Sequence, residues 1–398
     1  MNKTISALAF SAVSTVAHAA ALLAPGAHDQ IPAALAHVQA PGASALERAP
    51  VRVSHALDAA AAIDASTKPY VAQSREFWSD VGESELRRGV KFNTTAPGAL
   101  IRLSPQGGAS AALDPAGVLI RSGGKSVRAD AGDAAVADTQ ALRRAGMDVT
   151  DGTLAMRLSP TLGHGELAIA ATHAQGRYLV HVFDANSDVV LDFSADRDTV
   201  LVGAPITFRA TSQGRHLQHA SGLVTAPDGY SADLKFTRNA DGGYSARFTP
   251  DAAHAIGPQL WEAHVFTSAN DGKLSVLRDA KTAFAVSAPT ARFAGAVQTH
   301  TDAAGVHASF DLDAGAASRY QVSGVLFGTG SDGAMHAVAL GQSAAWLDAG
   351  KGRLDLSFDA DIIAASGLHA PFEVRDLRLV DQATMSLIER RERAFGID

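Results

Sequence analysis

One stretch, Gly242-Gly243-Tyr244-Ser245-Ala246-Arg247-Phe248-Thr249-Pro250, has the pattern of a tight turn followed by a β-strand. Glycine tolerates the positive φ angles of a hairpin turn, so we expect both glycines to adopt them. In the strand, alternation places Tyr244, Ala246 and Phe248 on one face. Pro250 has no backbone N–H to donate and ends the strand. We therefore predict that Tyr244 and Phe248 lie in the core of a β-sandwich.

The residues around this stretch, 188–288, contain about seven short alternating segments, separated by turn signals such as Pro227-Asp228-Gly229. Trp261, in the alternating segment Leu260–Phe266, is the expected anchor of the core. Short strands with a turn every ~8–12 residues are typical of an immunoglobulin-like (Ig-like) sandwich. The last segment, Leu274–Val286, is long enough to form two strands.

Two further regions also have mainly β-strand patterns. Residues 68–187 are predicted to form an N-terminal β-rich domain, with its clearest helix at Asp138–Ala145. Residues 289–398 are predicted to form a third domain with a short helix at Asp359–Ser366, and helix-forming residues near Leu387–Arg393 allow a terminal helix there. The predicted fold class is mainly β: an N-terminal β-rich domain followed by two Ig-like β-sandwich domains.

Residues 1–19 have the pattern of a secretory signal peptide. Lys3 provides the positive charge, Ile5–Val16 is apolar, and Ala17-His18-Ala19 matches a cleavage site. The apolar run is shorter than the ~20 residues that span a bilayer, and no later run is apolar enough. We expect cleavage after Ala19 and a periplasmic or secreted protein.

Residues 20–67 are rich in Ala, Pro and His, with small segments such as Ala24-Pro25-Gly26. This composition favours a flexible N-terminal segment that precedes the first domain. A short strand is indicated at Val51-Arg52-Val53-Ser54-His55, where apolar and polar residues alternate.

The composition limits the possible partners and chemistry. The chain has no cysteine, which excludes disulfides, thiolate catalysis and Cys-based zinc sites. Its formal net charge is −7, and removal of Lys3 with the signal peptide makes the charge one unit more negative. An acidic protein of this kind is not expected to bind nucleic acid or an anionic membrane.

The segment Asp184-Ala185-Asn186-Ser187-Asp188 resembles the start of a calcium-binding loop. Side-chain oxygens at alternate positions suit a hard cation. However, the sixth position is Val189 instead of Gly, and the twelfth is Ala195 instead of Glu. A solvated linker between two domains explains the same residues. Asp184, Asn186 and Asp188 are thus the candidate metal ligands, and Ca²⁺ is the candidate ion; no other cofactor is predicted.

No catalytic motif stands out in the sequence. There are 15 histidines but no HExxH motif, and there is no GxSxG nucleophile elbow. Residues Gly328–Gly333 match GxGxxG, but the alternating residues that follow predict the returning strand of a hairpin. Aromatic residues make up only 6% of the chain, although Trp78 and Trp346 are candidates for contacting a sugar ring. No catalytic or cofactor-binding residue is predicted, and a non-enzymatic protein is favoured.

Three segments of the chain resemble the DUF4785 family. They are SREFWSDV…LRRGVKFNTTAPGALIRLSP at 74–105, DGGYSARFTP…LWEAHVF…VLRDAKTAFAVS within 241–288, and PFEVRDLRLVDQATMSLIERRER at 371–393. The resemblance covers most of the mature chain and implies an exported gammaproteobacterial protein, with an N-terminal β-rich domain and Ig-like domains after it. The family has no established activity, so the resemblance implies no catalytic residue.

These observations lead to three hypotheses of function. The first is a monomeric, non-enzymatic exported protein whose Ig-like loops bind a protein or a glycan. The second is a secreted hydrolase or accessory module with its site at a domain junction, which a cleft with convergent histidines and carboxylates would favour. The third is an envelope structural or chaperone-like protein, which would act through a long exposed edge strand.

Overall fold

The computed structural model describes residues 18–38, 43–58, 60, 68–108, 111–255, 258–270 and 274–398. These residues form six sheets and three large apolar cores, so the predicted fold class, mainly β with sandwich domains, is confirmed. None of the helices in these ranges is long and apolar enough to cross a membrane. The predicted signal peptide lies outside the described residues up to position 17.

The N-terminal segment and the first domain contain most of the short strands. In chain order their elements are β1 (His18–Ala20), β2 (Val51–Ala56), β3 (Val71–Ser74), β4 (Glu76–Gly82), α1 (Glu83–Arg88), β5 (Val90–Thr94), β6 (Leu100–Gln106), β7 (Val118–Ser122), β8 (Lys125–Arg128), β9 (Ala134–Ala137), α2 (Thr139–Arg144), β10 (Leu154–Leu158), β11 (Gly165–Ala171) and β12 (Arg177–Phe183). The first domain packs the sheets β4-β12-β6-β10-β9 and β5-β11-β7-β8 around one apolar core. The predicted helix is α2, whose first turn is capped by the Asp138 carboxylate.

The second domain is a sandwich of two five-stranded sheets. Its strands are β13 (Val190–Ala195), β14 (Thr199–Leu201), β15 (Ile206–Gln213), β16 (His216–Thr225), β17 (Ser231–Leu234), β18 (Thr237–Arg238), β19 (Tyr244–Phe248), β20 (Trp261–Asn270) and β21 (Ser275–Ser287). The sheets have the orders β18-β19-β15-β13-β3 and β14-β21-β20-β16-β17. Thus β3, which the sequence places in the first domain, pairs with β13 and completes a sheet of the second. The segment that is long enough for two strands forms one, β21.

The third domain joins strands from both halves of the chain. Its own elements are β22 (Ala291–Asp302), β23 (Gly305–Ala314), β24 (Ser318–Thr329), β25 (Met335–Leu347), β26 (Gly350–Asp359), α3 (Ala360–Ser366), β27 (His369–Asp381) and β28 (Ser386–Ile397). The two sheets are β1-β22-β23-β26 and β2-β25-β24-β27-β28. The terminal helix allowed by residues 387–393 does not form, because β28 pairs along its length with β27.

The stretch at 242–250 forms the predicted turn and strand, with one correction. Tyr244 is buried, and the half-buried Phe248 packs on Trp261, whose side chain is only 1% exposed. Gly242 has a φ of 84°, as a hairpin turn requires. Gly243 does not have a positive φ; a Cβ there would lie 2.9 Å from Thr211 Cγ2, so the lack of a side chain is what this position needs.

The N-terminal segment is not a free tail where it is described. β1 pairs with β22, and β2 pairs over six residues with β25, from Val51 opposite Ala344 to Ala56 opposite Ala339. Between them, Gln30 forms a bridge to Arg390 on β28. The expectation of a flexible segment over 20–67 is therefore wrong for Gln30 and for residues 51–56, which pair with strands of the third domain.

Candidate functional site

The main concave site lies between the first and second domains. On β4, alternation turns Phe77 and Val81 into the core of the first domain and leaves Glu76, Trp78 and Asp80 on the outer face. β3 and β4 follow each other in the chain, but β3 belongs to a sheet of the second domain and β4 to a sheet of the first. The outer face of β4 therefore lies next to the second domain. A single extended segment thus builds one wall of the site.

The other wall is the outer face of β20 and β21. Buried and half-buried residues alternate strictly along β20, so His264 and Phe266 point away from the core that holds Trp261. Across the pair, His264 lies opposite Lys281 and Phe266 lies opposite Asp279. The regular pairing therefore places an imidazole, an aromatic ring, a carboxylate and an ammonium group side by side.

These walls enclose a cleft with a cavity volume of about 700 Å³. Its lining consists of Ala72, Gln73, Ser74, Glu76, Trp78, Asp80, Leu179, His264, Phe266, Asp279, Ala280 and Lys281. Most of the exposed lining surface is apolar, although seven of the twelve lining residues are polar or charged. This volume and mixture of surfaces are typical of sites for small organic ligands.

Trp78 is held in a stack of side chains on the first-domain wall. Its ring lies 3.9 Å from the ring of His181 at an interplanar angle of 11°, and the guanidinium carbon of Arg102 lies 4.8 Å from its centroid. His181 Nε2 is hydrogen-bonded to Glu76 Oε2 at 2.7 Å. This bond lowers the pKa of Glu76, with smaller help from the charges of His181 and Arg102 and against the effect of burial. The wall is therefore ordered before any ligand arrives.

The two walls meet at Asp279. The backbone N–H of Trp78, on the free edge of β4, donates to Asp279 Oδ2 at 2.8 Å. His264 Nε2 lies 3.7 Å from the same oxygen and has no hydrogen-bond partner within the described part of the chain. Asp279 thus ties the edge of the first domain to the second and leaves His264 as the imidazole in the cleft with an unused nitrogen.

A buried ion pair holds the two domains together below the cleft. Arg278 Nη2 donates to Asp184 Oδ2 at 3.1 Å and to Ser187 Oγ at 2.8 Å, and both charged side chains are only 1% exposed. Asp184 Oδ2 also accepts from the backbone N–H of Thr95 at 2.8 Å. Burial is the main cause that lowers the pKa of Arg278, and Asp184 opposes it. The linker between the domains is therefore fixed by charge-assisted hydrogen bonds.

Of the three predicted calcium ligands, Asp184 is the one that takes part in this ion pair. Asp184 is buried on Arg278, whereas Asn186 and Asp188 are exposed. Asn186 Nδ2 donates to the carbonyl of Pro97 at 3.3 Å. Since a guanidinium already neutralises Asp184, this geometry favours the linker explanation over a calcium loop.

The other sequence motifs lie away from the cleft. Residues Gly328–Gly333 form the end of β24 and a hairpin turn, in which Gly330 N donates to the carbonyl of Ala334 at 2.8 Å. Trp346 belongs to the third domain, where Arg48 lies over its ring. In the cleft, Ser74 Oγ is bonded to the backbone of Glu76 and is not an activated nucleophile.

Sequence reasoning found Trp78 but missed His264, Phe266 and Asp279 as site residues. These residues alternate with core residues on β20 and β21, so their outward direction was readable from the pattern. What could not be read was that this outer face meets β4, which lies about 200 residues earlier in the chain, as shown by the 201-residue separation of Trp78 and Asp279.

The comparisons with known proteins identify two parts of the chain. Residues 42–184 match the N-terminal domain of DUF4785, a domain of unknown function, and residues 290–398 match the C-terminal domain of DUF4785. Together the matches span more than half of the chain. No curated protein matches the sequence.

Solved structures give a similar result. The crystal structure of a DUF4785 family protein from Legionella pneumophila superposes with a TM-score of 0.71 at 18% identity, covering 92% of this chain and 98% of that one. At this identity the match shows a shared fold only. A tetra-tandem repeat from the extending region of a large adhesion protein covers 78% of this chain and 74% of its own at 17% identity, but with a TM-score of 0.16. So low a score carries no structural information.

Proposed function

The chain belongs to the DUF4785 family, whose function is unknown, and we propose that it is an exported binding protein. From the geometry of the cleft, the proposed ligand site lies between the first and second domains. The supporting observation is a cleft of about 700 Å³ whose walls carry Trp78 and Phe266. Clefts of this size at domain junctions are preferred positions for ligands. This proposal keeps the non-enzymatic hypothesis but moves the site from the loops to the cleft.

The ligand class that we propose is a neutral oligosaccharide. Three of the four Asp, Glu and Lys side chains that line the cleft pair with another ionisable side chain: Glu76 with His181, Asp80 with Arg177 at 2.6 Å, and Lys281 with Glu262 at 2.8 Å. The fourth, Asp279, accepts from the backbone N–H of Trp78, so the lining carries three carboxylates against one ammonium group and disfavours a phosphate. A sugar ring offers an apolar face for the aromatic side chains and hydroxyl groups for the paired polar ones.

An extended peptide is the less favoured ligand. A peptide that binds by strand addition needs the free N–H and C=O groups of an edge strand. On β4, the N–H of Trp78 already donates to Asp279, so the second domain covers this edge. The long edge strand β28 is likewise covered, since Leu23 N donates to Ala394 O and Gln30 pairs with Arg390. The same observations disfavour a chaperone-like role through β4 or β28.

Fluorescence titration tests the proposal. The chain has three tryptophans, and only Trp78 lines the cleft. A panel of neutral oligosaccharides should change the emission of the wild type, Trp78→Ala should weaken binding at least tenfold, and Trp346→Phe should bind as the wild type does. Absence of binding to the whole panel at millimolar concentration, or equal binding by Trp78→Ala, would overturn the proposal. Binding of extended peptides alone would replace the ligand class.

A hydrolase is the second candidate, because His264 and Asp279 put an imidazole beside a carboxylate in the cleft. Such a pair can transfer protons in general acid–base catalysis. Prolonged incubation of a bound oligosaccharide, followed by a reducing-end assay, separates the two functions. We expect the sugar to be recovered intact; turnover that disappears in both His264→Ala and Asp279→Asn would establish the hydrolase.

Export rests on the pattern of residues 1–19. We propose that the mature chain begins at Ala20, which would remove His18 and Ala19, two of the three residues of β1. N-terminal sequencing of the protein from periplasmic and culture fractions tests this directly. A chain that keeps Met1 and stays in the cytoplasmic fraction would contradict export.

A further inference from the structure

A second cluster of polar side chains lies on the hairpin of β22 and β23 in the third domain, and it shares no residue with the cleft. His300 on β22 lies directly opposite His307 on β23 in the strand register. Opposed residues of an antiparallel pair project from the same face of the sheet. Accordingly, the two imidazole rings stack with their centroids 4.7 Å apart at an angle of 20°.

Asp302 completes the cluster at the turn of the hairpin. Its Oδ1 lies 3.1 Å from His307 Nε2, and its Oδ2 lies 3.8 Å from His300 Nε2. The backbone N–H groups of Ala304 and Gly305 donate to Oδ1 at 2.8 and 3.3 Å, which fixes the carboxylate against the turn. One ligand atom from each of the three side chains lies within 4.8 Å of the others.

A fourth side chain orients one of the imidazoles. His307 Nδ1 lies 3.0 Å from Ser357 Oγ on β26, the strand next to β23. A hydrogen bond at one ring nitrogen sets which nitrogen faces the ligand side, and metal-binding histidines regularly have such an outer partner. Here the other nitrogen, Nε2, faces Asp302 and contacts its Oδ1 at 3.1 Å.

We propose that His300, Asp302 and His307 bind a zinc ion. Imidazole nitrogen and carboxylate oxygen are the zinc ligands left to a chain without cysteine. Zinc holds N and O ligands at about 2.0–2.2 Å, so tetrahedral ligands stand roughly 3.3–3.6 Å apart. His307 Nε2 lies 3.1 Å from Asp302 Oδ1 and His300 Nε2 lies 3.8 Å from Asp302 Oδ2, while one ligand atom from each side chain lies within 4.8 Å of the others. Side-chain rotation therefore has to bring the three ligand atoms closer together around the ion. The fourth position faces solvent, since the side chains of His300, Asp302 and His307 are 37%, 32% and 17% exposed.

A simple ion pair that stabilises the hairpin is the competing explanation, and the same domain contains one. His336 Nε2 lies 3.0 Å from Asp332 on the turn before β25. No second histidine joins that pair in any group of three metal-ligand residues found among the described residues. His336 is therefore a matched control, because it keeps the His–Asp geometry and lacks the second imidazole.

Calorimetric titration of zinc chloride into the mature protein, prepared without a histidine tag and freed of metal with EDTA, tests the proposal. We expect one zinc per chain, affinity lowered at least tenfold by His300→Ala and by His307→Ala, and unchanged binding by His336→Ala. Ser357→Ala should weaken binding about tenfold, as loss of an outer-shell partner does. Cobalt substituted for zinc should give the intense visible bands of a tetrahedral site.

Two results would overturn the proposal. One is the absence of zinc binding by the wild type at micromolar concentration. The other is wild-type affinity in His300→Ala and His307→Ala, which would place the ion elsewhere. Thermal unfolding followed by circular dichroism confirms that each variant is folded; His300 is the more exposed ligand, so His300→Gln decides the matter if His307→Ala does not fold.

Discussion

The first two domains contact each other through polar side chains, whereas the third domain is completed by strand pairing with the N-terminal segment. At the junction, a buried ion pair and one backbone hydrogen bond to Asp279 hold two sandwiches together and leave a cleft open. In the third domain, β2 and a bridge at Gln30 add the N-terminal segment to the edges of β25 and β28. An interface held by an ion pair and a hydrogen bond therefore leaves surface exposed for a ligand, whereas strand pairing buries the surface that it joins. This difference is why the cleft is the proposed site.

The largest expected effect is on the ion pair below the cleft. Arg278→Met leaves the Asp184 carboxylate buried without its charged partner, which should cost about 3–5 kcal/mol of unfolding free energy. Urea denaturation of the purified variant measures this. Arg353→Met is the control, because its pair with Asp311 is exposed to solvent and should contribute little to the unfolding free energy. Equal losses in the two variants would mean that burial of the pair has no energetic consequence.

The next largest effect on stability is expected where the N-terminal segment contacts β28 of the third domain. Gln30 is buried, and its Nε2 donates to the carbonyls of Leu387 and Ile388 at 2.8 and 3.2 Å. Gln30→Ala leaves both carbonyls without this donor and should cost about 1–3 kcal/mol. Scanning calorimetry should show the third-domain transition at lower temperature, with His28→Ala, at an exposed position, unchanged. A shift in the other transitions instead would contradict the assignment of the segment to this domain.

A smaller effect concerns pH and the wall of the cleft. The pKa of Glu76 is lowered from 4.5 by its bond to His181, so the folded state favours the carboxylate. The resulting stability is complete above the unfolded pKa and is lost as the pH falls from about 4.5 through the lower folded value. Glu76→Gln should therefore flatten the stability curve below pH 4.5, by no more than about 1 kcal/mol because the pair is partly exposed. Urea midpoints at several acidic pH values measure it, and the exposed Glu166→Gln variant should follow the wild type.

The smallest effect is expected in the segment that resembles a calcium loop. Asp188 is exposed, and Asp188→Ala should change stability by less than about 0.5 kcal/mol. Elemental analysis after dialysis against calcium should give the same calcium content for wild type and variant. A bound calcium that the variant loses would restore the calcium prediction and show that the linker binds a metal ion as well as joining the two domains.

The fold was predictable where the information is local. Alternation along β19 and β20 identifies Tyr244 and Trp261 as core residues, and the helix-tolerant residues of 139–144 before Gly146 identify α2. The prediction of a positive φ at Gly243 is wrong, because this position requires glycine for another reason: a Cβ there would clash with Thr211 on the neighbouring strand. A local pattern indicates which face of a strand is apolar but not what the strand packs against.

The site depends on contacts that no local pattern contains. Asp184 and Arg278 are 94 residues apart, and Arg278 alone decides whether Asp184 is an ion-pair partner or a calcium ligand. Residues 51–55 do alternate, but residues 20–38 contact the third domain at scattered positions such as Leu23 and Gln30, which no periodic pattern marks. Their composition therefore suggested a free tail. By contrast, His300 and His307 stand at mirror positions about a short turn, and a search for such pairs would have found the proposed zinc site in the sequence.

The pairing of β2 with β25 has a consequence for folding order. Val51 pairs with Ala344, so this contact closes a loop of the chain that contains the first two domains. Contacts so distant in sequence form late, because the entropy of closing the loop precedes any gain from pairing. As the chain is synthesised from its N-terminus, residues 51–56 have no partner until β25 exists. The first two domains can complete their cores earlier, and the third becomes whole only when the beginning of the chain joins its end.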